Sequence, residues 1–459
     1  MVILGAGPAG LACAYELARR GMPSLVADKN SSVGGLLRTL EYDGFLFDIG
    51  GHRFLSKNGE VNALWKDLLG PDLVRVNRKS RILYRGKFFE YPLKIRNTLR
   101  GLGIFETLRC LASYLAAKIF TPLRENTFES CMTRRFGKRL FEIFFKTYTE
   151  KVWGIPCHQL SGDWAFQRIQ GLSLPKTVLK ALFPHKNGGI KTLSDQFLYP
   201  TRGPGLFCER LQERTAPLGV DYRLQHEVLE IHHDKDRITH VMLRTEEKQE
   251  KIAADLVFSS IPLPHLVKKL RPEAPADILS AARELTFRSF IAVYLVFDVQ
   301  HLFPDNWLYI HSPEVKMGRI QNYKNWSAQM VPDESKTSLG VEYFVNQGDD
   351  VWKLADEAMI RFALEELERL GFSLRSKFVK GWVVRIPNAY PVYNAGYRES
   401  VSLIRGYLAH FKNLQVVGRA GLFRYNNSDH ALLTGLYGAR NLLGENHDLW
   451  ALDVDGPDT

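Results

Sequence analysis

The chain has 459 residues, 45% of them hydrophobic and 24% charged, and it carries a formal net charge of +11 at pH 7. This composition is that of a globular protein, and the length allows two or three packing units. The basic residues are scattered, as in residues 75–87, and form no block of the kind that binds nucleic acid. The charge is therefore explained by a solvated basic surface, an anionic membrane surface or a phosphorylated substrate.

The five cysteines are an odd number, and no two have the C-x-x-C spacing of a metal or redox motif. This usage is typical of a reduced protein inside the cell, without disulfides or structural zinc. The chain opens on a strand-like run and shows no signal peptide. We therefore predict a cytoplasmic protein with no metal site and no nucleic-acid partner.

The run at residues 2–21, VILGAGPAGLACAYELARRG, places Gly5, Gly7 and Gly10 between a short apolar strand and a helical pattern. A second strand follows and ends at Asp28. This is the complete βαβ fingerprint of a dinucleotide site: Gly5 makes the tight turn, Gly7 admits a pyrophosphate, and Gly10 lets the helix pack on the sheet. The helix N-terminus would face the phosphates, and Asp28 would bind a ribose 2′-hydroxyl.

A second glycine pair follows in SSVGGLLRT, residues 31–39, where Gly34 and Gly35 precede Arg38. The segment resembles the second glycine motif of the flavoprotein superfamily that includes amine oxidases, protoporphyrinogen oxidase and UDP-galactopyranose mutase. The resemblance implies FAD as the cofactor and places this segment, with Arg38, beside its phosphates and ribityl chain.

The segment 413–444 has a strand, the pair Gly418 and Arg419, and a helix that begins near Asp429. Amides at that helix N-terminus can face a flavin ring and stabilise negative charge on it. The superfamily resemblance implies that this segment and residues 1–60 meet around one cofactor. The remaining residues that it implies for cofactor binding are Val228, His430 and Ala431.

The stretch FDIGGHRFLS, residues 47–56, has Gly50 and Gly51 directly before His52 and Arg53. Glycines at such a place let the backbone pass close to a flat or bulky group. In the flavoproteins that the chain resembles, this loop lies at the flavin edge, which implies a cofactor-binding role for the two glycines and for His52. Arg53 departs from the family pattern, where a smaller apolar residue is common.

Arg419 stands where amine oxidases usually carry an acidic residue, and in this respect the chain is similar to the UDP-galactopyranose mutase family. In that family an aspartate slightly later in the chain takes the role of this acidic residue, which is to contact the flavin ribityl chain or phosphate. Asp429 would take that role here. Similar segments run along most of residues 1–445, among them FFKTYTEKVWGIP (144–156) and GRIQNYKNWS (318–327).

The mutase resemblance implies a nucleotide-diphosphate sugar as substrate, with a diphosphate clamped from opposite walls by Arg168 and Arg319. A guanidinium suits this role because two of its donors can meet two phosphate oxygens. The predicted substrate-binding residues are Arg168, Tyr309, Arg319, Asn322, Tyr390, Arg424 and Tyr425. The predicted catalytic residues are His52, Arg168 and Arg319.

The implied reaction interconverts pyranose and furanose sugars without net redox change, through attack of the reduced flavin N5 on the anomeric carbon. The reduced form of FAD would be the active one. The sequence has no second G-x-G-x-x-G fingerprint, so it gives no sign of a separate nicotinamide-binding domain. NADPH entering the same cleft, or another donor, would supply the electrons.

Two other functions stay open. An oxidoreductase of the amine oxidase or protoporphyrinogen oxidase type would share the FAD motifs and take a lipophilic substrate at a membrane. A non-catalytic flavoprotein would bind a nucleotide sugar without turnover. Whether the chain forms a homo-oligomer is also left open by the sequence.

The longest apolar segment, residues 104–120, contains Glu106, Arg109 and Lys118 and cannot span a bilayer. We interpret it as an amphipathic helix of the core, with peripheral contact at the inner membrane face as the alternative.

We predict an α/β fold in which a Rossmann-like FAD-binding domain is interleaved with a helical domain and an antiparallel β-sheet domain that hold the substrate. Runs such as FIAVYLVFDV (290–299) and TSLGVEYFV (337–345) indicate strands of that sheet. The predicted domains are 1–72 with 190–270 and 405–450 for FAD, 73–189 for the helical unit, and 271–404 for the sheet unit.

Overall fold

The computed structural model describes residues 1–120, 127–162 and 195–452. The α-helices of these residues are α1 (Pro8–Ala18), α2 (Gly59–Leu69), α3 (Ile95–Leu102), α4 (Ile104–Phe120), α5 (Phe128–Phe136), α6 (Lys138–Phe141), α7 (Thr147–Trp153), α8 (Gly205–Thr215), α9 (Leu263–Lys269), α10 (Ala276–Glu284), α11 (Asp350–Lys353), α12 (Asp356–Arg369), α13 (Tyr397–Leu408), α14 (Gly418–Gly421) and α15 (Ser428–Asn441).

The strands are β1 (Val2–Leu4), β2 (Ser24–Asp28), β3 (Thr39–Tyr42), β4 (Phe45–Asp48), β5 (Leu73–Asn77), β6 (Ser80–Tyr84), β7 (Lys87–Glu90), β8 (Gln196–Pro200), β9 (Val220–Leu224), β10 (Glu227–Asp234), β11 (Arg237–Arg244), β12 (Gln249–Ala253), β13 (Val257–Ser259), β14 (Leu270–Arg271), β15 (Phe287–Phe297), β16 (Trp307–Ile310), β17 (Arg319–Asn322), β18 (Thr337–Val345), β19 (Phe378–Pro391) and β20 (Leu414–Val416).

The first sheet has five parallel strands in the order β20, β13, β1, β2, β9. Its central strand β1 is short, apolar and fully buried, which is the pattern of a parallel strand covered on both faces. β1 pairs with β2 and with β13, and β20 adds beside β13. Segments from the start, middle and end of the chain therefore share one sheet, as the sequence predicts.

Helices α1 and α15 pack against each other with very close backbones. A Cβ on Gly435 of α15 would lie 2.1 Å from the carbonyl oxygen of Ala9. The Cys13 thiol of α1 donates to the Gly435 carbonyl at 3.3 Å. Gly418, in the segment before α15, also meets α1, because a Cβ there would lie 2.9 Å from the Cβ of Ala9. This packing brings the C-terminal segment next to the N-terminal glycine turn.

The second large sheet has seven strands in the order β19, β15, β18, β17, β16, β6, β7. β15 and β18 pair antiparallel along most of their lengths, and every residue of β18 is buried. Both strands confirm the sequence prediction. β6 joins through a parallel pairing with β16, and it pairs antiparallel with β7.

Helices α3 to α7 form a separate layer over β6 and β7. Between α6 and α7, Glu142–Lys146 is a π-helical turn. The small core of this layer consists of Ile82, Phe89, Cys110, Ile143 and Phe144. In α4 only Cys110 and Ala117 are buried. The interpretation of α4 as a core helix is therefore wrong, because its apolar side faces solvent.

The α/β fold class is confirmed: a parallel Rossmann-like sheet stands beside an antiparallel sheet and a helical layer. The domain boundaries stay a prediction. β6 and β7 lie within the predicted helical unit yet hydrogen-bond into the seven-stranded sheet. In the described ranges 1–120, 127–162 and 195–452, no helix has the length and hydrophobicity to cross a membrane.

Candidate active site

The glycine turn after β1 surrounds the N-terminus of α1. Gly5 has a φ of +106°, which residues with a side chain rarely adopt. A Cβ on Gly10 would lie 1.9 Å from the Gly5 carbonyl oxygen. The Asp28 carboxylate accepts a hydrogen bond from the Ala6 amide at 2.8 Å and ties the turn to the end of β2. Gly7 caps α1 without a side-chain bond, so the first amides of the helix can meet an anion.

The second glycine pair packs onto the first. The Gly34 amide donates to the first turn at 2.7 Å, and a Cβ on Gly35 would lie 3.1 Å from the Cα of Gly7. Arg38 Nε donates to the Gly35 carbonyl at 3.0 Å. Burial lowers the pKa of Arg38, and the nearby Asp28 opposes that shift. The two motifs form one glycine-lined surface with an acid and a base beside it.

Asp48, the residue at the end of β4 before the Gly50–Gly51 loop, accepts hydrogen bonds from four hydroxyl groups. Tyr294 and Tyr323 donate to the Asp48 carbonyl oxygen at 3.0 and 2.8 Å. Tyr199 and Thr39 donate to its carboxylate at 2.5 and 2.9 Å. Burial raises the pKa of Asp48 to about 7, although these two donors oppose the shift. These hydrogen bonds therefore hold the start of the Gly50–Gly51 loop in place.

Backbone conformation and close packing both favour glycine in this loop. Gly50 has a φ of +91°, in the region that favours glycine. A Cβ on Gly51 would lie 2.7 Å from Nε2 of Gln321. The loop thus runs close to the side chains of β17, and a Cβ on Gly51 would have to displace the end of the Gln321 side chain.

His52 follows the two glycines and is neutral at physiological pH. Its Nε2 lies 2.8 Å from the Ile49 carbonyl oxygen, which can only accept, so Nε2 carries the proton of the neutral ring. Burial lowers the pKa of His52 to about 4, and the positive charges of Arg419 and Arg319 act in the same direction. His52 therefore lies within electrostatic reach of two guanidinium groups.

Three side chains form a row across the seven-stranded sheet. Tyr309 of β16 lies opposite Arg319 of β17, which lies opposite Glu342 of β18, and directly opposite residues point to the same face. Arg319 Nε is 3.0 Å from Glu342 Oε2, and Gln321 donates to Glu342 Oε1 at 2.8 Å. Burial alone would lower the pKa of Arg319, but the Glu342 carboxylate and nearby tyrosines hold it well above its usual value.

Arg419 lies over two stacked tyrosines. The rings of Tyr390 and Tyr425 are stacked with centroids 5.7 Å apart, and the Arg419 guanidinium carbon lies 4.2 Å from the Tyr425 centroid and 4.9 Å from that of Tyr390. The Tyr390 hydroxyl accepts from Arg319 at 3.0 Å. Tyr390 therefore links the two arginines. We call His52, Tyr309, Arg319, Tyr390, Arg419 and Tyr425 the arginine–tyrosine group.

Helix α7 contributes two further aromatic residues to this group. Trp153 meets Tyr425 edge to face at 5.7 Å. Tyr148 meets Tyr309 edge to face at 5.5 Å, and burial raises the pKa of Tyr148 well above the ordinary value while Arg319 opposes this. The group is thus lined by rings from the helical layer as well as from the sheet.

The N-terminus of α15 holds the other predicted residues of the C-terminal segment. Gly418 has a φ of +79°, and its amide donates to the Thr434 hydroxyl at 2.9 Å. The buried Asp429 carboxylate accepts from the His430 amide at 2.9 Å and lies 3.0 Å from the ring Nδ1 of His430. Ala431 is buried in the same turn.

The structure does not bring two of the predicted residues into the arginine–tyrosine group. The Asn322 amide donates to the Phe303 carbonyl at 3.2 Å, away from Arg319, because the two residues lie on opposite faces of β17. Arg424 donates to two carbonyls of the C-terminal segment, each at 2.9 Å. The substrate-binding roles of Asn322 and Arg424 stay predictions.

Two further predictions concern residues elsewhere in the chain. Val228 lies in β10, and its carbonyl accepts from the Lys269 amino group; its contact with the adenine stays a prediction. Arg168 lies outside the described residues. Its role in a diphosphate clamp with Arg319 stays a prediction.

Glu342, Gln321 and Asp48 are not among the residues predicted from the sequence. Glu342 carries a signal that could have been used, because it is the one charged residue in the apolar run TSLGVEYFV. A carboxylate inside a buried strand needs a cation nearby. The contacts of Gln321 and Asp48 depend on chain segments far apart in sequence, so no local pattern indicates them.

The residues present fit a flavin dinucleotide. The glycines of the two motifs leave a surface free of side chains at the α1 N-terminus. Among the described residues, Nε and Nη2 of Arg419 and Oε1 of Gln321 are buried without a hydrogen-bond partner. Leaving a buried polar group unsatisfied costs about 1–3 kcal/mol, so these atoms suit a polar ligand.

Comparison with known families decides the class of protein. Residues 8–443 match the family described as flavin containing amine oxidoreductase. The chain belongs to this family. FAD is the cofactor that membership implies, in agreement with the glycine surface described above.

Individual relatives are more distant. The chain is 24% identical over 351 residues, 71% of its length and 69% of the relative's, to 1-hydroxycarotenoid 3,4-desaturase of Flavobacterium sp. strain P99-3. It is 28% identical over 170 residues to a probable UDP-galactopyranose mutase of Klebsiella pneumoniae, a match that spans 35% of the chain and 42% of the relative.

Solved structures share the fold of this flavin-containing family member. A reduced UDP-galactopyranose mutase superposes with a TM-score of 0.85 at 23% identity, covering 98% of this chain and 96% of that one. A putative protoporphyrinogen oxidase from Exiguobacterium sp. 255-15 superposes with a TM-score of 0.71 at 21% identity, covering 96% and 97%. At these identities the likeness concerns the fold alone, so the mutase and oxidoreductase activities are not distinguished by it.

Proposed function

We propose that this family member is an FAD-dependent nucleotide-sugar mutase that interconverts pyranose and furanose forms without net redox change. The arginine–tyrosine group carries the proposal. It combines two guanidinium groups with three tyrosines beside the Gly50–Gly51 loop. Such a surface suits a sugar joined to a diphosphate, because guanidinium groups bind phosphate oxygens and phenol rings offer a flat face with one donor.

The charge balance of the group also supports an anionic substrate. Arg319 has Glu342 as its counter-charge, whereas the described contacts of Arg419 are a backbone carbonyl and two aromatic rings. The neutral His52 adds no charge at physiological pH. The group therefore holds a net positive charge in a mostly buried place, which favours a ligand with a negative charge.

Each residue would have a defined task in the proposed reaction. When bound, reduced FAD would supply a nucleophilic nitrogen for the anomeric carbon of the sugar. Arg319, with Arg168 as its predicted partner, would bind the diphosphate and stabilise the charge that grows on it as the sugar bond breaks. The tyrosines would orient the sugar, and the fixed Gly50–His52 loop would hold the cofactor edge against it.

The test is isomerisation of nucleotide sugars by the FAD-loaded, dithionite-reduced protein. We expect chromatography to separate a pyranose and a furanose form of at least one UDP-, dTDP- or GDP-hexose, with no conversion by the oxidised protein. Tyr309→Phe should raise KM about 5- to 10-fold, as expected for one lost hydrogen bond of about 1 kcal/mol. Tyr84→Phe on the neighbouring strand β6 is the matched control and should change nothing. Absence of conversion with every nucleotide sugar would refute the proposal.

An FAD-dependent oxidoreductase is the second candidate, and one observation favours it. The longest of the sequence matches described above is to a carotenoid desaturase, over 71% of the chain. An oxidoreductase would transfer electrons from its substrate to oxidised FAD. Anaerobic bleaching of the oxidised flavin absorbance by a lipophilic substrate, without added reductant, would identify this activity and distinguish it from a mutase.

A further inference from the structure

Helix α4 exposes apolar side chains where a surface helix normally carries polar ones. The exposed fractions are 78% for Ile104, 85% for Phe105, 74% for Ile119 and 80% for Phe120, and Leu108, Leu111 and Leu115 are more than half exposed. Leu99 of the preceding helix α3 is also exposed. A contiguous exposed patch of this kind marks an interaction surface. We call these eight residues the α4 patch.

The α4 patch forms a continuous stripe along one side of the helix. With 3.6 residues per turn, its members on α4 lie on an arc of about 180°. The opposite side holds Cys110 and Ala117, which are buried, and Ser113, whose hydroxyl accepts from the Arg139 amide at 3.0 Å. Glu106 also lies on that side and pairs with Arg139 and, more distantly at 3.8 Å, with the exposed Arg109. The helix is thus anchored by its polar side and presents its apolar side outward.

Basic residues border the stripe. By the same helical geometry, Lys118 lies within about 20° of one edge of the apolar arc and Arg109 within about 20° of the other. Both are exposed, as are Arg96 and Arg100 of α3. The single acidic residue of α3 and α4 is Glu106, which is turned inward as described. An apolar stripe with cations at its borders and no outward carboxylate has the charge pattern of a helix that lies in the surface of an anionic bilayer.

We propose that the α4 patch docks this protein onto an anionic lipid surface, with α4 lying in the interface and its cations among the headgroups. A second copy of the chain complements the patch less well, because a symmetric contact would bring the same cations together without carboxylates to pair them. The segment 163–194 is also a poor cover, since it carries one acidic and five basic residues. The patch uses none of the residues of the arginine–tyrosine group, so its test is independent of the proposed reaction.

Vesicle flotation of the full-length, FAD-loaded protein tests the inference. We expect the protein to float with phosphatidylcholine vesicles that contain about 30 mol% phosphatidylglycerol, and to float far less with pure phosphatidylcholine. Arg109→Gln with Lys118→Gln should lower the partition coefficient about 30-fold at low salt, since each cation contributes about 1 kcal/mol. Salt should reduce wild-type binding to the anionic vesicles.

A second variant tests the apolar side. Phe105→Ser, Leu108→Ser and Ile119→Ser combined should reduce flotation at least about tenfold, because they remove apolar area from the interface. Leu218→Ser with Leu403→Ser is the matched control: both leucines are about half exposed and lie outside α4, and flotation should be unchanged. Flavin absorbance and melting temperature verify that each variant is folded.

Three results would overturn the proposal. Equal binding to neutral and anionic vesicles, or no binding to either, would show that an anionic lipid surface is not the partner of the patch. A wild-type dimer in mass photometry that becomes a monomer in the triple-serine variant would assign the patch to a second copy. A fall in melting temperature in the triple-serine variant but not in the control, without vesicle binding by the wild type, would assign it to the chain's own residues.

Discussion

The glycine turns of residues 5–35 and the row of Tyr309, Arg319 and Glu342 prepare a ligand site by opposite means. The turns are shaped by the backbone, with left-handed φ values and no room for Cβ atoms. The row is shaped by charge, with a guanidinium and a carboxylate buried together on neighbouring strands. Damage to the turns should therefore be steric and independent of pH, whereas damage to the row should depend on which charge is left alone.

The largest effect is expected from the charged row. Arg319→Ala leaves the Glu342 carboxylate, whose side chain is 1% exposed, without its cation. We expect the free energy of unfolding in urea to fall by about 3–5 kcal/mol. The double variant Arg319→Met with Glu342→Gln removes both charges and should recover at least half of that loss. Equal losses in the single and double variants would show that charge balance does not govern this region.

The glycine turn should fail for a different reason. Gly10→Ala would place a Cβ 1.9 Å from the Gly5 carbonyl oxygen, so α1 must move away from the turn. We expect a loss of about 1–3 kcal/mol in unfolding free energy together with a reduced FAD content after purification. The loss should be the same at pH 5.5 and pH 8. A variant with full FAD content and wild-type stability would contradict the backbone account.

Asp48 should make the stability of the protein depend on pH. Burial raises the pKa of its carboxyl from 3.8 to about 7, so the folded state keeps a proton that the unfolded state releases. Its contribution to stability is complete below about pH 4 and is lost as the pH rises through about 7. The stability difference between the wild type and Asp48→Asn should therefore shift against the wild type from pH 5 to pH 8.

Tyr199→Phe is the companion variant for Asp48. It removes a donor that lowers the pKa of the carboxyl, so the pH at which stability is lost should rise further. If denaturation midpoints of Tyr199→Phe and the wild type follow the same pH curve, Asp48 is not the group that titrates.

His52 should show the opposite sign. Burial and two arginines lower its pKa from 6.5 to about 4. Between these two pH values the unfolded state therefore binds a proton that the folded state does not bind. Its contribution to stability is present above pH 6.5 and is lost as the pH falls through about 4. At pH 7 the effect of His52→Gln should thus exceed its effect at pH 4.5, as measured by urea denaturation. An imidazole that titrates near pH 6.5 in the folded protein would place His52 in solvent.

The smallest effect comes from a glycine that has none of these constraints. Gly406 lies inside α13, is exposed and has no positive φ, and a Cβ added to it would have no neighbouring atom within 4 Å. Gly406→Ala should therefore raise the free energy of unfolding by about 0.5–1 kcal/mol, because alanine favours the helix. This is the same substitution as at Gly10 with the opposite sign, so a loss at both positions would undermine the steric argument.

The sequence predicted the glycine turn after β1 and the strands β15 and β18 because their signals are local. Gly5, Gly7 and Gly10 act within one turn, and the burial of β15 and β18 follows from their apolar runs. Asn322 and Arg424 show that position in the sequence does not determine which partner a side chain bonds. Each lies near a residue of the arginine–tyrosine group in sequence, yet its side chain bonds elsewhere.

Helix α4 shows why local pattern does not decide burial. Its composition is typical of a core helix, yet only two of its residues are buried. Which side of an apolar helix faces the protein depends on what packs against it, and here α5 and α6 contact the polar side. The side of α4 that faces the protein is therefore set by tertiary packing and cannot be read from the sequence of the helix.

The sequence by itself determined the dinucleotide turn, the flavoprotein family and the apolar strands β15 and β18, because backbone freedom and hydrophobic periodicity act over a few residues. Only the tertiary structure decided that Arg319 lies opposite Glu342, that Arg419 lies over Tyr390 and Tyr425, and that the apolar side of α4 faces outward. These arrangements depend on strand register and helix orientation, which are set by contacts between residues remote in the chain.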